Sequence, residues 1–98
     1  MVYLIRNTRV VKDWEKMEGA ARGLTDYWAK QPGVKGVETW SNIAGRQDEY
    51  QFVAKFDSLA DEEKFAIGLW NDKGYESVMT RFMEVFELLD DLLKRTLE

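Results

Sequence analysis

The chain has 98 residues, enough for one domain (1–98), with 45% hydrophobic and 33% charged residues and a formal net charge of −4. It contains no Cys and no His, which excludes disulfides, thiol nucleophiles, Ser-His pairs and His-bound zinc or haem. Lys and Arg are scattered along the chain and form no stripe, which argues against nucleic acid, and no run approaches the ~20 apolar residues of a membrane span.

Val2–Val10 alternates, with Val2, Leu4, Arg6 and Thr8 against Tyr3, Ile5, Asn7 and Arg9. This pattern predicts a first strand with two mixed faces. Met1–Ile5 is apolar but too short for a signal sequence, so a cytoplasmic protein is expected. Asp13 is placed to cap a helix in which Trp14, Met17, Ala21, Leu24 and Trp28 follow at steps of three and four. Gly19 and Gly23 fall on the opposite face of that helix, and the sequence offers no reason for them. Gln31-Pro32-Gly33 should end the helix.

Gly36–Ile43 carries the strand formers Val37, Thr39, Trp40 and Ile43. The short link Ala44–Asp48 then joins it to a second strand at Glu49–Phe56, giving a hairpin. In that strand Tyr50, Phe52, Ala54 and Phe56 share one greasy face. The alternation stops at Asp57-Ser58. Ser58 suits an N-cap, with Asp61 near the first-turn amides, and a helix Leu59–Trp70 should follow. Leu59, Ala66, Leu69 and Trp70 fall on one side of it, with Phe65 at the flank. Asp57, Asp61, Glu62 and Glu63 read as charges matched to the helix dipole, since a hard-metal site needs ligands converging from several segments.

Asn71–Gly74 breaks this helix, and Tyr75, Val78, Phe82, Phe86 and Leu89 form the stripe of another. Residues 91–97 suit either helix or strand. Topology favours a short strand at about Asp91–Leu97, because the sheet needs a fourth member. Asp90-Asp91 reads as a solvated corner. The resulting fold class is α+β: a ferredoxin-like βαββαβ antiparallel sheet with helices on one face and an extra helix before the last strand.

In Val2–Val10, in Pro32-Gly33-Val34-Lys35-Gly36-Val37-Glu38 and in the passage Phe56–Glu62 leading to Trp70, the chain resembles the dimeric α+β barrel superfamily. That superfamily contains the antibiotic-biosynthesis-monooxygenase-like domains and the NIPSNAP-like proteins. Apart from the resemblance, a sheet with helices on one face leaves the other to be covered; Val2, Leu4 and one set from the hairpin are candidates for that face, and a homodimer with sheets face to face would bury them. Some members are cofactor-independent monooxygenases acting on aromatic polyketides, and others oxidise haem. Their active residues imply Asn7 on the first strand, Trp70 at the end of the helix after the hairpin, and Tyr75, about one residue short of the usual Tyr. The haem-ligand position falls at about Thr80 in a chain without His, so no haem, metal or other cofactor is expected.

Trp70 on a helical stripe is most often core, and Asn7 on a strand most often has a structural partner. Trp28 and Trp40 belong to packing or to a cavity mouth. The sharper expectation is that Asn7 faces the helices with Tyr3 and Ile5 and converges with Trp70 and Tyr75 on a mainly apolar pocket for a small apolar or aromatic ligand. A non-catalytic binder and a stand-alone interaction dimer are the alternatives to a small oxygenase.

Overall fold

The structure is a computed structural model and describes residues 1–97. The strands β1 (Val2–Val10), β2 (Val34–Ser41), β3 (Glu49–Phe56) and β4 (Phe86–Arg95) form one antiparallel sheet in the order β2-β3-β1-β4. The helices α1 (Met17–Ala29), α2 (Leu59–Trp70) and α3 (Lys73–Phe82) cover one face of the sheet. The architecture is therefore the expected α+β, ferredoxin-like one, with the extra helix before the last strand. Among the described residues no helix is long and apolar enough to cross a membrane.

The helix-covered face holds Val2, Leu4 and Val10 of β1 and Phe52, Ala54 and Phe56 of β3. Against them pack Leu24 and Trp28 of α1, Phe65 and Leu69 of α2, and Phe82 of α3. Phe82 and Phe86 stack at 4.5 Å, and Phe52 meets both edge-on at 5.2 and 5.4 Å. This trio fastens the end of α3 and the start of β4 to the middle of the sheet, with geometry that aromatic quadrupoles favour.

The face assignment of β1 is the reverse of the sequence expectation. Val2 and Leu4 lie in the core, and Tyr3, Ile5, Asn7 and Arg9 alternate onto the uncovered face. The alternation misleads because two polar side chains, Arg6 and Thr8, point inward. Both are satisfied there. Thr8 Oγ1 donates to the Tyr50 carbonyl at 2.9 Å, and Arg6 has the partners described below. The uncovered face carries its own polar lattice: Asn7 to Asp90 at 2.7 Å, Arg9 to Glu87 at 2.6 Å, and a Lys55–Glu38 ion pair. Within this lattice Ile5 and Val53 are already buried in the single chain.

Further departures follow from local geometry. Asp13 adopts a left-handed conformation (φ 53°) before a single 3-10 turn at Trp14–Lys16 and makes no capping bond, so α1 begins only at Met17. Gly33 (φ 87°) does close the turn after α1. A side chain there would also meet Asp61 at 3.4 Å. The first hairpin strand runs Val34–Ser41 and not Gly36–Ile43.

Ser58 caps α2 as expected, its Oγ accepting from the Asp61 amide at 3.2 Å. The buried side of α2, however, is Glu62, Phe65 and Leu69, while Leu59 is exposed and Trp70 is 87% exposed. Trp70 is not core. α3 stops at Phe82, and β4 begins at Phe86, five residues before the expected strand. Phe86 and Leu89, expected on the helix, belong to β4, which pairs with β1 along its whole length. The doublets Leu88-Leu89, Asp90-Asp91 and Leu92-Leu93 fit a helical period, but ladder pairing to a central strand outweighs that local preference. The register shifts between Asn7 and Thr8, leaving one extra residue in β4 at Leu89.

Candidate functional site

A cavity of about 730 Å³ opens between the sheet and the α2–α3 corner. Leu4 and Arg6 of β1 form its floor. Glu62, Phe65, Ala66 and Leu69 of α2 form one wall, and Tyr75 and Glu76 of α3 form the other. Trp70, Asn71, Asp72 and Lys73 make the lip where one helix ends and the next begins, and Asp91 of β4 closes the far side. The corner is tight because Asp72 caps α3 at once, its Oδ1 accepting from the Gly74 amide at 2.8 Å.

Arg6 is the centre of the floor. Its Nε and Nη2 each donate to Asp91 at 3.0 Å, a two-pronged pair. Its Nη1 donates to the Tyr75 hydroxyl at 2.9 Å and lies 3.5 Å from Met79 Sδ. The guanidinium also sits 5.1 Å from the centre of the Trp28 ring. Only 12% of the Arg6 side chain is exposed. Burial works against its charged form, yet the hydrogen bonds to Asp91 and Tyr75 prevail and hold its pKa above the ordinary value. Tyr75 is fixed a second time by stacking on Tyr27 of α1 at 5.5 Å. Because the Tyr75 oxygen already accepts from Arg6, its O–H proton is free for an acceptor in the cavity.

Glu62 is the other polar group of the inner cavity. It is 7% exposed, and its carboxylate makes no hydrogen bond or ion pair among the described residues. Burial, with a smaller contribution from neighbouring Glu63, pushes its pKa up.

Of the three residues expected to converge, Trp70 and Tyr75 line this cavity. Asn7 does not: it projects from the opposite face of the sheet and donates to Asp90. Arg6, its neighbour on the strand, occupies the place expected for it. Trp28 is wholly buried in the core and Trp40 lies on the uncovered face, so neither forms the cavity mouth. Asp90-Asp91 is solvated as expected but is no corner, since both residues lie within β4 and each carboxylate holds a partner on β1. Sequence reasoning passed over Arg6, Asp91 and Glu62. An Arg in a strand otherwise apolar at Val2, Leu4 and Val10 was the available signal for the first. A second groove, about 660 Å³, lies between α1 and α3 and is lined in part by Gly19 and Gly23.

No protein-family model and no characterised protein sequence matches the chain. Solved structures do resemble it. SnoaB, a cofactor-independent oxygenase from Streptomyces nogalater, aligns with a TM-score of 0.76 at 14% identity, over 99% of this chain and 93% of that one. An uncharacterised NIPSNAP domain protein from Burkholderia xenovorans aligns at 0.72 and 14%, over 98% and 94%. Protein Atu4242 from Agrobacterium tumefaciens aligns at 0.72 and 16%, over 97% and 92%. The chain thus has the monooxygenase-like and NIPSNAP-like fold over nearly its full length. At such identities the likeness is one of fold.

Proposed function

We propose that this chain, built on the fold it shares with SnoaB and the NIPSNAP domain protein, is a homodimeric small-molecule-binding protein. Its ligand is a small aromatic molecule seated above Arg6. With an electron-rich ligand of this kind it acts as a cofactor-independent monooxygenase. The observation that carries this reading is the Asp91–Arg6–Tyr75 chain beneath an otherwise largely apolar cavity. Tyr75 donates to a ligand oxygen, and Arg6, which donates to the Tyr75 oxygen from behind, polarises that hydroxyl and makes it a stronger donor. Trp70 at the lip offers its indole to the ligand ring. Electrons for oxygen reduction come from the substrate, so no metal, haem or flavin is required. Asn7 belongs to the uncovered sheet face, which a second copy covers, together with the exposed Leu92 of edge strand β4.

A second reading, binding without turnover, draws on one feature. Trp70 is 87% exposed and leaves the mouth open to water, whereas charge stabilisation in the cavity gains from excluding water. Titration with a dihydroxynaphthalene, followed by tryptophan fluorescence and an oxygen electrode, tests both. The first reading expects saturable quenching with oxygen uptake, and the second expects quenching alone. Tyr75→Phe removes one hydrogen bond and should weaken binding by roughly fivefold. Unchanged affinity in that variant would place the ligand elsewhere.

A further inference from the structure

Glu62 has no role in the reading above. It lies in the first turn of α2, where the helix dipole offers a carboxylate some support, but its side chain caps no amide. Phe65, Ala66, Leu69 and Leu4 line the same cavity. A carboxylate on a largely buried residue is normally paired, because without a partner it keeps only part of its hydration. More than nine-tenths of Glu62 is buried, it has no partner among the described residues, and it lines the cavity. Its carboxylate oxygens are not sealed off from solvent, so a partner can approach through the cavity.

The charge around the cavity points the same way. Four carboxylates line it (Glu62, Asp72, Glu76 and Asp91) against two cations, Arg6 and Lys73. Arg6 is already committed to Asp91 through two hydrogen bonds. An anionic ligand would meet an excess of negative charge, and a neutral one would leave Glu62 without a charged partner. A ligand bearing an ammonium group satisfies Glu62 and reduces that excess.

We infer that Glu62 is the counter-ion for a protonated aliphatic amine on the ligand, so that the pocket takes hydroxyaromatic amines, with the hydroxyl at Tyr75 and the ammonium at Glu62. The inference rests on the small-molecule reading of this cavity and adds the ligand's chemical class. Burial raises the pKa of empty Glu62, and a bound ammonium holds the carboxylate ionised.

Three matched probes test it by isothermal titration at neutral pH: tyramine, the neutral para-ethylphenol, and the anionic para-hydroxyphenylpropionate. The intact protein should bind tyramine roughly tenfold tighter than para-ethylphenol, with the acid weakest, as expected for a charge-assisted hydrogen bond. In Glu62→Gln the ratio between tyramine and para-ethylphenol should fall to about one. A neutral or acidic probe binding as tightly as tyramine to the intact protein overturns the inference without needing any variant. So does a tyramine preference that persists in Glu62→Gln. Binding of para-ethylphenol that depends on Tyr75, without an amine preference, would leave the small-molecule reading standing and sink this one. No binding of any probe sinks both.

Discussion

Glu62→Gln should stabilise the empty protein at neutral pH and do nothing for it in acid. Glu62 is 7% exposed, unpartnered among the described residues, and its pKa is raised by burial. A carboxyl whose folded pKa lies above its unfolded value of about 4.3 binds its proton more tightly in the folded state. Its contribution is therefore fully present below the unfolded pKa and is lost as pH rises through the folded one. Gln has nearly the same shape and no charge, so the variant escapes that loss. An unsatisfied buried polar group costs ~1–3 kcal/mol. The Glu62 carboxylate borders an open cavity that admits water, which selects the lower end, about 1 kcal/mol. In a domain of this size that corresponds to roughly 4–8 °C in Tm. Circular-dichroism melts of both proteins between about pH 4 and pH 8 would measure it, and the other carboxylates cancel in the difference. The Tm difference should be near zero at the acid end and grow with pH. A variant less stable than the parent at pH 7 by the same margin as at pH 4 would mean that Glu62 already has a partner, and the reasoning would fail.

Two further expectations concern the uncovered face. Asn7→Leu removes an exposed hydrogen bond to Asp90, so it should cost less than about 1 kcal/mol in a denaturant melt and leave aromatic-ligand affinity unchanged. A loss of binding in that variant would return Asn7 to the site. Light scattering at micromolar concentration should give twice the chain mass, whereas a clean monomer would remove the second copy from the account.

The legible parts of the sequence are those where local pattern and tertiary role agree. The passage from Phe56 through Ser58 into α2 was readable because the change of period coincides with a capping residue, and the cap forms as expected. Tyr50, Phe52, Ala54 and Phe56 face the helices as their alternation says. Where a long-range partner decides, the sequence misleads. Arg6 looked like an outward residue because Asp91, which neutralises it, is 85 positions away. Phe86 looked helical because nothing local reveals that it will stack on Phe82 across a turn and start a strand beside β1. Trp70 looked like core by its size and its place on the stripe, yet α2 turns Glu62, Phe65 and Leu69 inward and leaves Trp70 at the cavity lip. The cavity's location near Trp70 and Tyr75 could be reached from the resemblance, but its floor could not, since it is built from pairs joined across β1 and β4.

The central claim is that the cavity floored by Arg6 and Tyr75 is where a small aromatic molecule binds. A two-dimensional amide and indole NMR titration of the intact protein with para-ethylphenol tests it most directly. The Trp70 indole signal and the amides of Asn71, Gly74 and Tyr75 should shift in a saturable way, with the Trp14 and Trp40 indoles unmoved. Shifts confined to Gly19 and Gly23 in the α1–α3 groove, or to Asn7 and Trp40 on the uncovered face, would contradict it.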